Sequence, residues 1–137
     1  MKLALDGVEP SRMIGKLLNF TRGISDEWEE AIEKVDKCLD WEDEEQALSF
    51  LGEGWVGEEA VALALYCFLT YPDSYEKCVL RAANTSGDSD SIACIAGAIS
   101  GAYLGVKAIP KDWVEQIENK DCLIDLGIRL AGARRNS

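Results

Sequence analysis

Histidine is absent from the chain, which removes histidine metal sites, Ser-His-Asp triads and Cys-His dyads together. Any chemistry has to run on carboxylates, hydroxyls, thiols, amines or metal-bound water. Proline is scarce, at three residues in 137, and 47% of the residues are hydrophobic, so a disordered polar chain is excluded. The five cysteines, Cys38, Cys67, Cys78, Cys94 and Cys122, are odd in number and show no Cys-x-x-Cys spacing. Set among apolar neighbours, they read as buried free thiols in a reducing compartment. Basic residues are outnumbered, 14 against 25 acidic, for a formal charge of −11. That balance disfavours nucleic acid and anionic membrane surfaces as partners and favours metal cations, while serving solubility in the main. The opening Met1-Lys2-Leu3-Ala4-Leu5-Asp6 lacks the apolar run and cleavage pattern of a signal peptide. The longest apolar stretch, 92–108, is broken by glycines, Ser100 and Lys107. It falls short of the roughly 20 residues of a membrane span. A cytoplasmic protein is the expectation.

What is present is helical periodicity along nearly the whole length, with no sustained alternation of apolar and polar residues. The pattern predicts a single all-α domain over 1–137, a compact fold of about seven or eight helices. Pro10 opens a helix carrying Met13, Ile14, Leu17 and Leu18, and Gly23 stops it. Ser25 caps the next, whose acidic first turn suits the helix dipole. A short acidic helix over 42–51, read as solvated, ends in Gly52-Glu53-Gly54, a flexible break. Two helices, around Ala60 to Leu69 and Ile92 to Gly105, have no polar face and are expected to be fully buried at the centre. On the second, Ala93, Gly97, Gly101 and Gly105 recur every four residues and form a ridge that admits a close neighbour.

Chemistry concentrates at Gly87-Asp88-Ser89-Asp90-Ser91, just before the second central helix. Two carboxylates one residue apart, followed by a hydroxyl, supply three hard oxygen donors suited to Mg²⁺ or Ca²⁺ and wrong for soft metals. Gly87 is placed to bend the turn through backbone angles other residues avoid. On spacing alone, Asp and Ser ahead of a helix are more often caps for its free N–H groups.

The longer segment from Asn84 to Gly105, with Gly87-Asp88-Ser89-Asp90-Ser91-Ile92-Ala93, Ala96-Gly97-Ala98 and Gly101-Ala102-Tyr103, resembles the C-terminal signature of ADP-ribosylglycohydrolases. The resemblance continues in Ile109-Pro110-Lys111-Asp112-Trp113 and, upstream, in Gly54-Trp55-Val56 with Glu59-Ala60, and spans about 48–134. It implies an all-α fold and Mg²⁺-dependent hydrolysis of the bond between ADP-ribose and a protein side chain or related leaving group. By position, Asp88, Asp90 and Ser91 would be metal ligands, with Asp88 or Asp90 also the catalytic proton acceptor. Trp55, Gly87 and Ser89 would contact the substrate, Trp55 by stacking on adenosine. Ser91 stands where the family has threonine, and Ser86 where it has the first of two glycines.

The resemblance also implies an N-terminal half carrying a Thr-Asp-Asp metal cluster, which nothing in this sequence matches. Three donors leave the rest of the roughly six-oxygen Mg²⁺ shell to water, substrate or another chain. Activity is therefore expected only with a complementary N-terminal half or in a homodimer. A non-catalytic binding or assembly module, or a truncated remnant keeping this part of the fold, is the alternative.

Overall fold

The computed structural model of the chain describes residues 1–134. Among them there are nine α-helices and no strand: α1 (Lys2–Leu5), α2 (Met13–Thr21), α3 (Asp26–Cys38), α4 (Glu44–Leu51), α5 (Gly57–Thr70), α6 (Tyr75–Ala83), α7 (Ser89–Leu104), α8 (Lys111–Gln116) and α9 (Lys120–Arg134). Short 3-10 turns at Pro10–Arg12 and Val106–Ala108 precede α2 and α8. None of the helices is long and apolar enough to cross a membrane.

The boundaries follow local chemistry. Gly23, at φ 76°, lies just beyond the end of α2. The hydroxyl of Ser25 then accepts the Trp28 N–H at 3.2 Å and opens α3. Ser74 caps α6 in the same way through the Lys77 N–H. Each such cap is worth about 1 kcal/mol, because it satisfies an amide the helix cannot.

Helix α5 is the centre. From Ala62 to Leu69 every residue is buried, and α3, α6 and α7 pack around it. Burying side chains such as Leu63 and Phe68 contributes about 1.5–3 kcal/mol each. Helix α7 departs from the expectation of a second fully buried element. It buries Ile92, Ala96, Ile99 and Ser100 along one stripe, while Cys94 and Ala98 are exposed. The small-residue ridge admits α6 on one side, and among the described residues the face with Cys94 and Ala98 stays exposed. Gly97 receives the Tyr75 hydroxyl and Val79, with a Cβ there only 3.1 Å from Tyr75 Oη, and Gly101 faces the Tyr75 ring. Gly105, last of the ridge, ends the helix at φ 81° instead of packing.

The acidic run at α4 is likewise more than a solvated face. Asp43 caps α4 by accepting from the N–H groups of Glu45 and Gln46. Arg81 of α6 donates to Glu45 at 2.9 Å and lies 3.8 Å from Glu44, and the Tyr71 hydroxyl donates to Glu44. These bonds fasten α4 to the end of α6. The cysteines also divide. Cys38, Cys67 and Cys78 are buried, but Cys94 and Cys122 are exposed, because the helices carrying them expose the face on which they lie.

The core is one cluster running from Ala4 to Ile99. Among the described residues, helices α8 and α9 add no buried residue to it. Leu123, Ile124, Leu126, Ile128 and Leu130 of α9 are all exposed. A cavity of about 650 Å³ opens between α9 and the residues Tyr75, Ile109, Trp113 and Ile117.

Candidate functional site

The turn between α6 and α7 is built from both ends. At the close of α6, the Asn84 side chain donates to the Leu80 carbonyl at 2.7 Å and the Thr85 hydroxyl to the Ala82 carbonyl at 3.1 Å. Arg81 donates to the Asn84 carbonyl at 2.9 Å, so the guanidinium that fastens α4 also holds the start of the turn. At the other end the Ile92 N–H donates to the Asp88 carbonyl and begins α7.

Between these anchors the chain touches a second loop. The Asp88 N–H donates to the Glu53 carbonyl at 2.8 Å, and a Cβ on Gly87 would stand 1.8 Å from that carbonyl oxygen. This corrects the reason for Gly87. It is not among the residues at positive φ; glycine is required there because another backbone occupies the place of a side chain. Ser86 sits exposed and without positive φ, so the turn accommodates a side chain at that position.

The second loop, 52–56, is equally determined. Gly52 and Gly54 lie at φ 118° and 79°, backbone that favours glycine. The carboxylate of Glu59, in the first turn of α5, accepts the Glu53 N–H at 3.3 Å and the Gly54 N–H at 3.2 Å. It occupies the space a Cβ on Gly52 would need, 2.7 Å away. Ile92 of α7 fills the corresponding space at Gly54, 2.8 Å from such a Cβ. The segment expected as a flexible break is thus held on three sides. From it projects Trp55, 69% exposed, its indole N–H donating to the Glu53 carboxylate at 2.9 Å. An aromatic ring so exposed contributes little to the core and is available to a ligand.

Asp88 occupies the N-cap position of α7, yet its side chain accepts no bond from the helix amides. The capping role that its spacing allows is not taken up. The exposed carboxyl of Asp90 is held below the usual carboxylate range by the neighbouring Asp88 side chain and by the N–H groups of Ser91 and Asp90. Ser89 and Ser91 are half-buried beside them. Two adjacent carboxyls at a helix start are a hard, anionic donor pair, right in kind for a divalent cation. No group of three or more Asp, Glu, Cys or His side chains among the described residues is placed to hold a metal. Asp88, Asp90 and the Ser91 hydroxyl would at most supply part of a cation's shell.

Of the residues singled out from sequence, Asp88, Asp90, Ser91, Ser89 and Gly87 share one turn, and Trp55 joins them through Glu53. Glu53 and Glu59 carry that junction and were not foreseen as site residues. The signal for them was present in Gly52-x-Gly54 followed five residues later by an acid in the first turn of a helix.

Comparison with known proteins shows what the chain is similar to. Mouse ADP-ribosylhydrolase ARH3 is 34% identical over 99 residues, covering 64% of this chain and 27% of that protein. An uncharacterized protein of Archaeoglobus fulgidus is 38% identical over 88 residues, 64% of this chain and 28% of that one. The ADP-ribosyl-[dinitrogen reductase] glycohydrolase of Rhodospirillum rubrum is 34% identical over 55 residues, 40% of this chain and 18% of that enzyme. The matched region thus spans about a quarter of the length of the curated relatives heading the comparison. No solved structure gives a significant match. The ADP-ribosylglycohydrolase family model matches residues 1–137, taking in α1 to α3, which the resemblance over 48–134 left out; the chain belongs to that family.

Proposed function

We propose that the turn 87–91 and the loop 52–56 form a Mg²⁺-dependent ADP-ribose site for hydrolysis of an ADP-ribose glycosidic bond. The observation that carries the reading is the Asp88 N–H on the Glu53 carbonyl, at 2.8 Å. It sets the Asp88 and Asp90 carboxyls beside a loop that offers an exposed aromatic ring. Asp88, Asp90 and Ser91 hold the cation, which when bound supplies neutralisation of diphosphate charge and a more acidic water. Asp88 or Asp90 accepts the proton of the attacking water. Trp55 stacks on the adenosine, and Gly87 and Ser89 meet the ligand along the turn. The relatives named for ADP-ribosyl hydrolysis support the substrate class.

The three donors of this chain cover about half of a six-oxygen Mg²⁺ shell, so the reading includes completion by a partner. That partner is a complementary N-terminal half or a second copy; α9, beside Tyr75 and Val106 at the end of α7 away from Asp88, offers a surface for a homodimer but no donor to the site. Support comes from the apolar residues of that helix. Gly127 faces the open cavity beside Tyr75 and Trp113, which the partner would have to enter; Leu123, Ile124, Leu130 and Ala131 lie on the same helical face, and Asp125 and Arg129 pair on the opposite one. In an antiparallel two-fold pairing centred on Gly127, Leu123 meets Ala131 and Ile124 meets Leu130, large against small at the edge. A cytoplasmic setting is part of the reading, supported by the five free thiols. A non-catalytic ADP-ribose-binding module is the second reading, favoured by the partial donor set.

The test is release of ADP-ribose from an ADP-ribosylated protein in Mg²⁺, by the dimer, by the monomer, and with a complementary family segment added. Hydrolysis confined to an associated form and lost in Asp88→Asn and Asp90→Asn supports the enzyme. Binding without hydrolysis in every form supports the module. Hydrolysis unaffected by both substitutions contradicts the site.

A further inference from the structure

Glu53 is bonded through three of its groups. Its N–H donates to Glu59, its carbonyl accepts from the Asp88 N–H, and its carboxylate accepts the Trp55 indole N–H. Two of these bonds reach Asp88 and Trp55, and the third is to a side chain of α5 that belongs to neither the turn nor the loop. Glu59 also takes the Gly54 N–H, and it sits where a Cβ on Gly52 would stand. The two glycines give the loop a conformation few residues adopt, and among the described residues the one side chain bonding the loop amides 53 and 54 comes from α5.

We infer that Glu59 is a positioning residue: by accepting the Glu53 and Gly54 N–H groups it aims the Glu53 carbonyl at Asp88 and sets Trp55 and the carboxylate turn as one unit. This rests on the reading of Asp88 and Trp55 as ligand contacts. An ordinary role in the first turn of α5, complementing the helix dipole, makes a different demand. A dipole needs the negative charge, whereas the loop amides need an acceptor oxygen. Glutamine keeps the second and loses the first, and alanine loses both.

Two readouts on the full chain separate the possibilities. In the first, amide hydrogen exchange by NMR needs no ligand. Glu59→Ala is expected to speed exchange at Asp88 by about tenfold or more while amides within α5 and α7 change less than about twofold. Glu59→Gln and Glu58→Ala should leave Asp88 protected. In the second, titration with ADP-ribose in Mg²⁺ should show Kd raised about tenfold in Glu59→Ala and returned to within about threefold of the parent in Glu59→Gln, the loss matching an ordering contact. Should Glu59→Ala not fold, Gly52→Ala displaces the carboxylate from the loop and is expected to release the Asp88 amide likewise. A protected Asp88 amide in the folded Glu59→Ala or Gly52→Ala chain overturns the inference. So does a Glu59→Gln chain as impaired as Glu59→Ala. If the parent chain binds no ADP-ribose, the proposed function fails, and the exchange result alone upholds or overturns the role of Glu59.

Discussion

The α-carbon of Gly87 lies so close to the carbonyl oxygen of Glu53 that a Cβ there would approach it to 1.8 Å. Backbone meets backbone at this point, so no flexible side-chain end can yield. Gly87→Ala must part the two loops, breaking the Asp88 to Glu53 bond. Overpacking of this kind costs about 1–3 kcal/mol, and the thermal midpoint is expected to fall by several degrees. Ser86→Ala, one residue earlier and exposed, should stay within about 0.5 kcal/mol of the parent. Equal midpoints for Gly87→Ala and the parent would show that the loops are not in contact.

Two helical glycines should respond with opposite signs. Gly97→Leu drives a side chain into Tyr75 and Val79 and is expected to destabilise by about 1–3 kcal/mol. Gly15 of α2 has open space where its Cβ would be. Gly15→Ala should gain about 0.5–1 kcal/mol from helix propensity and a stiffer unfolded chain. Denaturant midpoints of the two variants on either side of the parent are the expected result.

The thiols provide a test of packing and a pH dependence. Cys94 and Cys122 are exposed and should react within minutes with a chromogenic disulfide at pH 8. The other three should react only on unfolding. Burial pushes Cys38 and Cys78 up to about 11 and Cys67 up to about 12 from a usual 9.0. A folded value above the unfolded one means stability that is complete below about pH 9 and lost as pH rises through about 11 to 12. Denaturant midpoints should therefore decline across that alkaline window. Rapid reaction of more than two thiols in the native chain would contradict the packing.

Association through α9 should appear in sedimentation equilibrium at micromolar concentration as twice the chain mass of 15.0 kDa. Ile124→Asp, on the face centred on Gly127, should return the monomer with helicity unchanged, because a buried unpaired charge costs several kcal/mol at an apolar interface. A monomer mass for the parent would leave the 650 Å³ cavity to a different partner.

Much of the fold could be read from short-range pattern. Ser25 and Ser74 cap their helices as their spacing implies, and α5 is buried as its lack of a polar face implies. What the pattern did not disclose depends on residues far apart in the chain. Cys94 is apolar in context but lies on the side of α7 that no helix covers. Glu44 and Glu45 look solvated until Arg81 and Tyr71 are brought to them by α6 and the turn before it. The candidate site divides the same way. Asp88, Asp90 and Ser91 were visible as one local motif, whereas the Glu53 to Asp88 bond joins positions 35 residues apart. Glycine spacing marked both loops, but only the folded chain shows that they meet.

The central claim, that the Asp88 turn and the Trp55 loop make one cation-dependent ADP-ribose site, is tested most directly by calorimetric titration of the full chain with ADP-ribose. The titration is run with and without Mg²⁺, on the parent and on Asp88→Asn, Asp90→Asn and Trp55→Ala. The account predicts binding that requires Mg²⁺, is lost in either Asp→Asn variant, and weakens by about 1–3 kcal/mol in Trp55→Ala, the range for one base on an aromatic ring. Binding of equal strength with and without Mg²⁺, and in all three variants, would contradict it.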